Sequence, residues 1–463
     1  MMRKLRTENT AYFVRKVCMK DTETVSKFRE TSEKLLDFIR RSPSVFHVVA
    51  NMESLLKEAG YRKLQETEAW EIKPHGRYYV TRNDSALIAF TVPEEEDHFQ
   101  VTAAHSDSPA FRLKDRPEMG RCGHYVQLDV EKYGGAVLAP WLDRPLSIAG
   151  RAIVDTDSGV KSRLIHFDRD LCLIPNLAIH MNRKINEGYA YSIQNDMLPL
   201  FGDESADGKL EEMVAEQACA PKEKVLAADL FLYSRVPGSI WGASEEYISS
   251  GKLDDLQSAY GCLQGLIRAD NTAASAVCVC AIFDNEEVGS RTKQGADSTF
   301  LESTLKRIAL SSGGGEEDYL RMCSGSFMIS ADNAHAVHPL HAEKADPVGQ
   351  PFMNRGPVVK YSANQKYTTD AVSGAVFRKI CRSADVPCQT FYNHSDVPGG
   401  STLGNISTSH VSMNTVDIGL PQLAMHSPYE TAGVKDTEYL IRAVKAFYQA
   451  DVICRDGWVK IKA

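Results

Sequence analysis

The stretch SAVCVCAIFDNEEVGS, residues 275–290, joins an apolar run to two adjacent acids. The run over 275–283 is short and continuous, which predicts a buried β-strand. Cys278 and Cys280 alternate within it, so we expect both to point to one face of the strand as small apolar side chains. Glu286 and Glu287 follow the point where this strand ends. Two acids at such a place suggest two different roles.

Strands and helices alternate on both sides of this stretch. Apolar spacing predicts helices over 23–43, 252–267, 298–312, 367–384 and 437–454, and another that starts at Ser44 or the nearby turn, runs through 51–59 and is closed by Gly60. Strands are predicted over 77–92 (two, around an Asn-Asp turn), 99–105, 327–332, 387–393 and 421–426. This alternation predicts an α/β fold with a mainly parallel sheet that is flanked by helices.

The character of the chain changes between about 110 and 235. Strand-like pieces there are short and separated by Gly, Pro and Asp, and helical patterns are rare before EEMVAEQAC (211–219). We therefore predict an inserted β-rich domain over 109–235, within an α/β domain formed by 21–108 and 236–463. Residues 1–20 are basic and lack a continuous apolar core, which predicts a disordered N-terminal extension, with Met19 as an alternative start.

The composition is that of a globular protein, with 463 residues, 43% hydrophobic and 25% charged. A formal net charge of -8 argues against nucleic acid or an anionic membrane as the main partner. No apolar stretch approaches the ~18–20 residues that span a bilayer. Eleven scattered cysteines without a C-x-x-C pair favour a reducing, cytoplasmic location over a disulfide framework.

Ionisable residues at predicted strand ends are candidates for a functional site, because open α/β sheets bind ligands beyond the carboxyl ends of their strands. The candidates, one of which opens a predicted helix, are His105, Asp254, Glu286, Glu287, Asp332 and His426. Two histidines with three or four carboxylates have the composition of a site for two divalent metal ions. Each residue alone has a plainer interpretation, such as a helix N-cap for Asp254, but the set outweighs its members.

Two other patterns are weaker. His335, His338 and His341 form an H-x-x-H-x-x-H run, but Pro339 interrupts it, which favours one pocket-lining histidine over a separate metal site. NHSDVPGGST (393–402) places His, Ser and Asp together without a G-x-S-x-G elbow or a P-loop motif. A glycine-lined turn close to the metals is the better interpretation of this segment.

Five of these segments occur in order along nearly the whole chain: AAHSDSPAFRLK (103–114), ISSGKLDDLQS (248–258), FDNEEVGS (283–290), SADNAHAVHP (330–339) and LAMHSPYE (423–430). Together they resemble the signature segments of the aspartyl aminopeptidases, which are related to the tetrahedral aminopeptidases. The resemblance implies a di-zinc exopeptidase with a phosphorylase/hydrolase-like core and an inserted dimerisation domain. Cobalt and manganese are alternative metals for such N/O ligands.

The resemblance also implies roles for the candidate residues. Asp254 is expected to bridge the two metals, with His105 and Asp332 completing one of them. Glu287 and His426 are expected to complete the other. Glu286 is then the general acid/base.

The same resemblance implies how substrate is bound. KYSANQKY (360–367) resembles the segment whose lysine and tyrosine, here Lys360 and Tyr367, meet an acidic substrate side chain, and His335 is expected in the same pocket. Without the resemblance, Lys360 is interpreted as a surface lysine. IPNLAIH (174–180) resembles a segment whose histidine, here His180, reaches the active site of a neighbouring subunit within a dodecamer built from dimers.

The implied function is removal of N-terminal Asp or Glu from peptides by a metal-activated water. The alternatives are a di-metal aminopeptidase of broad or neutral specificity, a deacylase, a non-catalytic shell or carrier protein, and a structural protein without a site. Three departures from the family pattern concern the shape of the substrate pocket: Asp255 in place of asparagine, TLGNIS (402–407) and SPYETAG (427–433).

Overall fold

The computed structural model describes residues 26–270 and 275–462, so the extension predicted over 1–20 lies outside the described residues. The helices are α1 (26–40), α2 (Val45–Glu58), α3 (Ile193–Asp196), α4 (Lys209–Gln217), α5 (Leu253–Arg268), α6 (Phe300–Ser311), α7 (Glu316–Gly325), α8 (Ala371–Ser383), α9 (Leu403–Ser407) and α10 (Asp436–Gln449). Within the described ranges, no helix is long and apolar enough to cross a bilayer.

The strands fall into three stretches of the chain. The first holds β1 (Arg62–Lys63), β2 (Arg77–Arg82), β3 (Ala86–Thr91) and β4 (His98–His105). The middle stretch holds β5 (Ala110–Arg121), β6 (Tyr125–Tyr133), β7 (Leu146–Thr156), β8 (Gly159–His166), β9 (Leu200–Asp203) and β10 (Val225–Ser234). The last holds β11 (Ser239–Trp241), β12 (Tyr247–Ser250), β13 (Ala276–Phe283), β14 (Phe327–Ala331), β15 (Ala334–His335), β16 (Val358–Lys360), β17 (Gln389–Phe391), β18 (Asn414–Gly419), β19 (Pro421–Leu423), β20 (Glu430–Gly433), β21 (Asp451–Arg455) and β22 (Trp458–Lys462).

A nine-stranded sheet forms the centre of the molecule, in the order β1-β2-β3-β13-β4-β14-β18-β16-β17. Its central strands β13, β4, β14 and β18 are all parallel to their neighbours in that series. Antiparallel pairing is confined to its outer parts, at β2–β3, β3–β13 and β16–β18. The α/β fold with a mainly parallel sheet is therefore confirmed.

The two faces of this sheet are covered by different helices. Along β13, Cys278 and Cys280 pack with α5, α8 and α10, while Val277 and Val279 pack with α6 and α7 on the other face. This alternation confirms that the two cysteines share one face. Helix α5 approaches α10 closely because it presents glycine there: a Cβ on Gly265 would lie 2.3 Å from Val444 Cγ1.

The middle stretch of the chain builds a separate six-stranded sheet, in the order β8-β7-β10-β5-β6-β9. Its strands pair antiparallel, and Phe111 and Trp141 pack edge to face in its own apolar core. We call it the inserted sheet. The exact domain boundaries and a role in dimerisation stay predictions. A five-stranded sheet, β11-β12-β20-β19-β15, lies beside the main one.

Two helix predictions are wrong at their ends. The helix predicted over 437–454 ends at Gln449, because Asp451–Arg455 forms β21, whose Val452 N–H donates to Gln100 Oε1 at 3.0 Å. The helix predicted over 367–384 begins only at Ala371, because the Asp370 side chain caps it by accepting from Ser373 N at 2.7 Å. The N-terminal boundary thus follows the cap rather than the apolar pattern.

Candidate metal centre

Strand order explains how distant acids and histidines meet. β13, β4 and β14 are adjacent and parallel, so their carboxyl ends lie side by side. His105 is the last residue of β4 and pairs with Phe283, the last residue of β13. The residues that follow these ends therefore share one edge of the sheet, where the structure brings together the predicted set His105, Asp254, Glu286, Glu287, Asp332 and His426.

Asp254 lies between the two histidines. Its Oδ1 is 3.6 Å from His105 Nε2, and its Oδ2 is 3.4 Å from His426 Nε2. The interpretation of Asp254 as a simple helix cap is wrong, because its side chain faces these imidazoles and its Oδ1 accepts no hydrogen bond from the described residues. One carboxylate thus presents one oxygen to each side of the cluster.

The remaining ligand-type atoms divide into two groups that share Asp254. On one side, Asp332 Oδ1 lies 4.0 Å from His105 Nε2. On the other, Glu287 Oε2 lies 3.4 Å from His426 Nε2. Within each group the candidate ligand atoms lie within 4.8 Å of one another. This is the pairing that a shared carboxylate between two cations requires.

The second nitrogen of each histidine is held by a backbone carbonyl. His105 Nδ1 lies 3.1 Å from the carbonyl oxygen of Asp107, and His426 Nδ1 lies 2.9 Å from that of Gly135. In a neutral imidazole, an Nδ1–H that donates to a carbonyl leaves Nε2 free to bind a cation, and it fixes the ring plane. Both Nε2 atoms then direct a lone pair into the cluster.

The charges of the cluster are poorly balanced by its own side chains. Burial raises the pKa of Glu286 to about 8 and that of Glu287 well above its usual range, with Asp254 adding to the shift in Glu287. Burial alone would lower the pKa of His426, but hydrogen bonding to Asp254 raises it to about 9. Acids that resist ionisation beside histidines that attract protons indicate an excess of negative potential.

The donor set fits divalent cations. Asp254 Oδ1 and Glu287 Oε1 are buried and have no hydrogen-bond donor within residues 26–270 and 275–462. A buried acceptor without a donor costs about 1–3 kcal/mol. Carboxylate oxygens and neutral imidazole nitrogens are the ligands that zinc accepts, so cations between these atoms satisfy both the acceptors and the charge.

Asp107, which the sequence interpretation passed over, holds the turn that carries both glutamates. Its Oδ1 accepts from the N–H of Glu286, and its Oδ2 accepts from that of Glu287, both at 3.1 Å. Tyr133 OH donates to the same Oδ2 at 2.7 Å. Asp107 stands two residues after His105 in the sequence. Its position close to a candidate metal ligand was the signal by which the sequence could have identified it.

The inserted sheet contributes directly to the centre through residues 133–137, just after β6. Asn285 Nδ2 donates to Tyr133 OH at 2.8 Å, and Val137 N donates to the His426 carbonyl at 3.1 Å. Gly134 has a φ of +75°, and a Cβ there would lie 3.0 Å from Glu287 Cβ. No local pattern in the sequence predicts this contact, because it joins segments about 150 to 290 residues apart.

Glu430 in β20 joins the two halves of the cluster from behind. Its Oε2 accepts from Asp254 N at 3.0 Å, and its Oε1 accepts from His426 N at 2.7 Å. The side chain is buried, and burial together with the charge of Asp254 raises its pKa to about 8.

Asp255, which was expected to affect the substrate pocket, instead lies against His105. Its carboxylate accepts a hydrogen bond from the backbone N–H of His105 at 3.2 Å.

A cavity of about 210 Å³ opens beside the cluster. Its walls include Asp254, Glu286, Asp332, His335, Lys360, Tyr367, Gly400, Ser401, Thr402 and His426. The end of the glycine-rich turn over 393–402 and His335 of the histidine run thus both lie in the cavity wall beside the cluster. His338 and His341 are exposed and are not among the cavity walls.

Lys360 is buried rather than on the surface, so its plainer interpretation is wrong. Its Nζ donates to the Asn333 carbonyl at 2.8 Å and lies 3.6 Å from Asp332 Oδ2. The ring of Tyr367 lies 5.4 Å from the same Nζ. The ammonium of Lys360 therefore lies in the cavity wall next to the cluster. His180 is exposed and is not among the cavity walls of its own subunit.

An α/β sheet whose central strand ends gather two histidines and several carboxylates around a small cavity is the framework of a metal-dependent hydrolase. A family model described as aminopeptidase I zinc metalloprotease (M18) matches residues 38–448. The chain belongs to the M18 family of zinc aminopeptidases.

Individual relatives agree with this assignment. A probable M18 family aminopeptidase 2 of Clostridium acetobutylicum is 46% identical over 428 residues, which cover 90% of this chain and 98% of the relative. A cryo-EM structure of the Ape4 and Nbr1 complex contains a chain of 34% identity that matches with a TM-score of 0.88, covering 91% of this chain and 86% of that one. The S. cerevisiae mApe1 dodecamer matches with a TM-score of 0.80 at 25% identity, and the match covers 91% of this chain and 97% of that one.

Glu430→Gln tests how the cluster is supported. Glutamine presents one acceptor oxygen and one NH₂ donor, so the N–H of either Asp254 or His426 loses its acceptor. We expect the affinity for metal to fall about 10- to 100-fold, as for other outer-shell partners of metal ligands. Titration of the metal-stripped protein with zinc against a competing chelator measures this. Wild-type affinity in the variant contradicts the support role.

Proposed function

We propose that the chain removes N-terminal residues, preferably Asp or Glu, from peptides at a centre of two divalent cations. The observation that carries the proposal is one cavity that contains both the carboxylate–imidazole cluster and the buried ammonium of Lys360. The cluster supplies a hydrolytic centre, and the ammonium supplies a partner for an acidic side chain.

In this proposal the carboxylate of Asp254 would help to hold both cations. His105 and Asp332 would hold one, and Glu287 and His426 would hold the other, in line with the two groups of distances. Such cations, when bound, would lower the pKa of a water and polarise the scissile carbonyl. Zinc is the metal we assign, because the family is one of zinc aminopeptidases.

The two adjacent glutamates have different surroundings, which supports different roles. Glu286 lines the cavity, whereas the Glu287 side chain is almost fully buried against His426. We assign Glu286 as the group that takes the proton of the attacking water and returns it to the leaving amine. A positioned carboxylate can do both, acting as a base in one step and as an acid in the next.

Glu286→Gln is the direct test of this assignment. We expect turnover of an amino-acid anilide to fall by about 10²–10⁴-fold, because the amide cannot accept the proton. Metal content, measured by atomic emission, should remain at the wild-type level.

Glu287→Gln is the matched control, because it replaces the adjacent carboxylate with an amide in the same way. It should lose metal. If Glu287→Gln keeps its metal and Glu286→Gln loses it, the two roles are reversed.

The proposed preference for acidic residues rests on Lys360. Burial alone would lower the pKa of this amine, but nearby Asp332, Tyr367 and Asp417 raise it above its usual value. The ammonium is therefore charged at neutral pH and lies in the wall of a small cavity. A compact ammonium is a suitable partner for a carboxylate, with Tyr367 and His335 shaping the space around it.

Lys360→Met keeps the length of the side chain and removes its charge. We expect kcat/KM for Asp-anilide to fall about 10- to 100-fold relative to Leu-anilide, which is the value of a hydrogen bond to a charged group. Side-by-side assays of Asp-, Glu-, Leu- and Ala-anilides measure the change. Lys306→Met on α6, outside the cavity walls, should leave the ratios unchanged. A wild-type enzyme that favours Leu contradicts the acidic preference and supports the broad-specificity alternative.

We also infer a dodecamer of dimers in which His180 enters the cavity of a neighbouring subunit. Support comes from the solved dodecamer of the yeast relative and from the exposure of His180 together with the apolar side chains of Leu177, Ile179 and Met181. A reducing cytoplasm suits the free cysteines of the described chain. Sedimentation velocity tests the assembly: an active monomer contradicts it.

A further inference from the structure

Asp417 lies behind the cavity rather than in its wall. It is buried on β18, and the antiparallel register with β16 pairs Val358 with Gly419 and Val359 with Ile418. Continued by one residue, this register sets Lys360 opposite Asp417. Directly opposite residues of paired strands project to the same face of the sheet. A buried carboxylate thus accompanies the proposed specificity lysine.

The two oxygens of Asp417 hold two different segments of chain. Oδ2 accepts from Thr368 N at 2.6 Å and from Thr368 Oγ1 at 2.9 Å. Oδ1 accepts from Thr402 Oγ1 at 2.8 Å. Thr368 follows Tyr367, and Thr402 ends the glycine-rich turn; Tyr367 and Thr402 both line the cavity. One carboxylate therefore ties together two walls of the cavity.

Both α9 and the segment after Tyr367 pack closely against Asp417. A Cβ on Gly404 would lie only 2.5 Å from Asp417 Oδ1, so the residue at this position of α9 must be glycine for the turn to come so near. On the other side, Asp417 N donates to Thr369 Oγ1 at 2.8 Å. The segment after Tyr367 is thus fixed by both the main chain and the side chain of Asp417.

We infer that Asp417 is a positioning residue that sets the preference of the cavity for an acidic side chain. It fixes the separation of the Tyr367 segment and the glycine-rich turn, and it keeps a negative charge next to Lys360. Substrate does not touch Asp417, because the carboxylate is not among the cavity walls. This inference rests on the proposed function, since it explains how the proposed specificity site is held.

Asp417→Asn is the main test. Asparagine keeps the shape but removes the negative charge beside Lys360; its NH₂ group cannot accept from Thr368 N and can only reverse the bond to the Thr402 hydroxyl. We expect the ratio of kcat/KM for Asp-anilide to that for Leu-anilide to fall at least about tenfold, chiefly through a higher KM for Asp-anilide. Thr402→Val, which removes a single bond, should move the ratio in the same direction, and Thr402→Ser should restore it.

Asp436→Asn is the matched control for a merely structural role. Asp436 is equally buried, and its carboxylate accepts from Asn354 N at 2.6 Å and Gly356 N at 2.9 Å, away from the cavity. Losing one of these acceptors should lower the melting temperature as much as Asp417→Asn does. The ratio of the two substrates should not change in this control.

The outcomes separate the two proposals. An acid-selective wild type whose ratio changes less than twofold in Asp417→Asn and Thr402→Val overturns the role of Asp417 alone. If Asp436→Asn changes the substrate ratio as much as Asp417→Asn does, the role of Asp417 is overturned as well. A wild type without acidic preference overturns the proposed specificity, and the inference about selectivity falls with it. If Asp417→Asn does not fold, the comparison of Thr402→Val with Thr402→Ser tests the role of Asp417.

Discussion

Carboxyl groups brought together at one buried edge of a sheet repel one another and lose their hydration. Five of them, from Asp254, Asp255, Glu286, Glu287 and Asp332, meet here with the imidazoles of His105 and His426 and the ammonium of Lys360 close by. Such an arrangement is stable only when positive charge lies among the oxygens, because an unpaired buried charge costs several kcal/mol. The affinity of this centre for divalent cations follows from that constraint, and the neighbouring structure serves to hold the acids in place despite their repulsion.

Hydrogen bonds that involve the backbone hold the residues of the cluster in place. Carbonyls of Asp107 and Gly135 set the two histidine rings, and the carboxylates of Asp107 and Glu430 bind the N–H groups of the cluster residues. Two of these contacts reach from the inserted sheet or from β20. The precision of the centre thus depends on packing between sheets, as expected for groups that hydrogen-bond to metal ligands and orient them.

Charge also explains why the cavity beside the cluster contains a lysine. Next to so many acids an ammonium keeps its proton even when buried, which a neutral wall would not allow. In the proposed function, the same ammonium is the partner of the acidic side chain of the substrate. The proposed catalysis and the proposed specificity consequently draw on one electrostatic arrangement.

The sequence by itself determined the α/β class, the alternating faces of β13 and the strand-end residues of the cluster, since all of these follow from local periodicity and from the carboxyl-end rule. It failed at β21, where burial against Gln100 outweighs the helical pattern of the preceding turns. Only the tertiary structure decided that Asp254 faces both histidines, that Lys360 is buried, and that Tyr133–Val137 closes over the centre. These features join segments tens to hundreds of residues apart, and spacing along a chain carries no information about which distant segments meet.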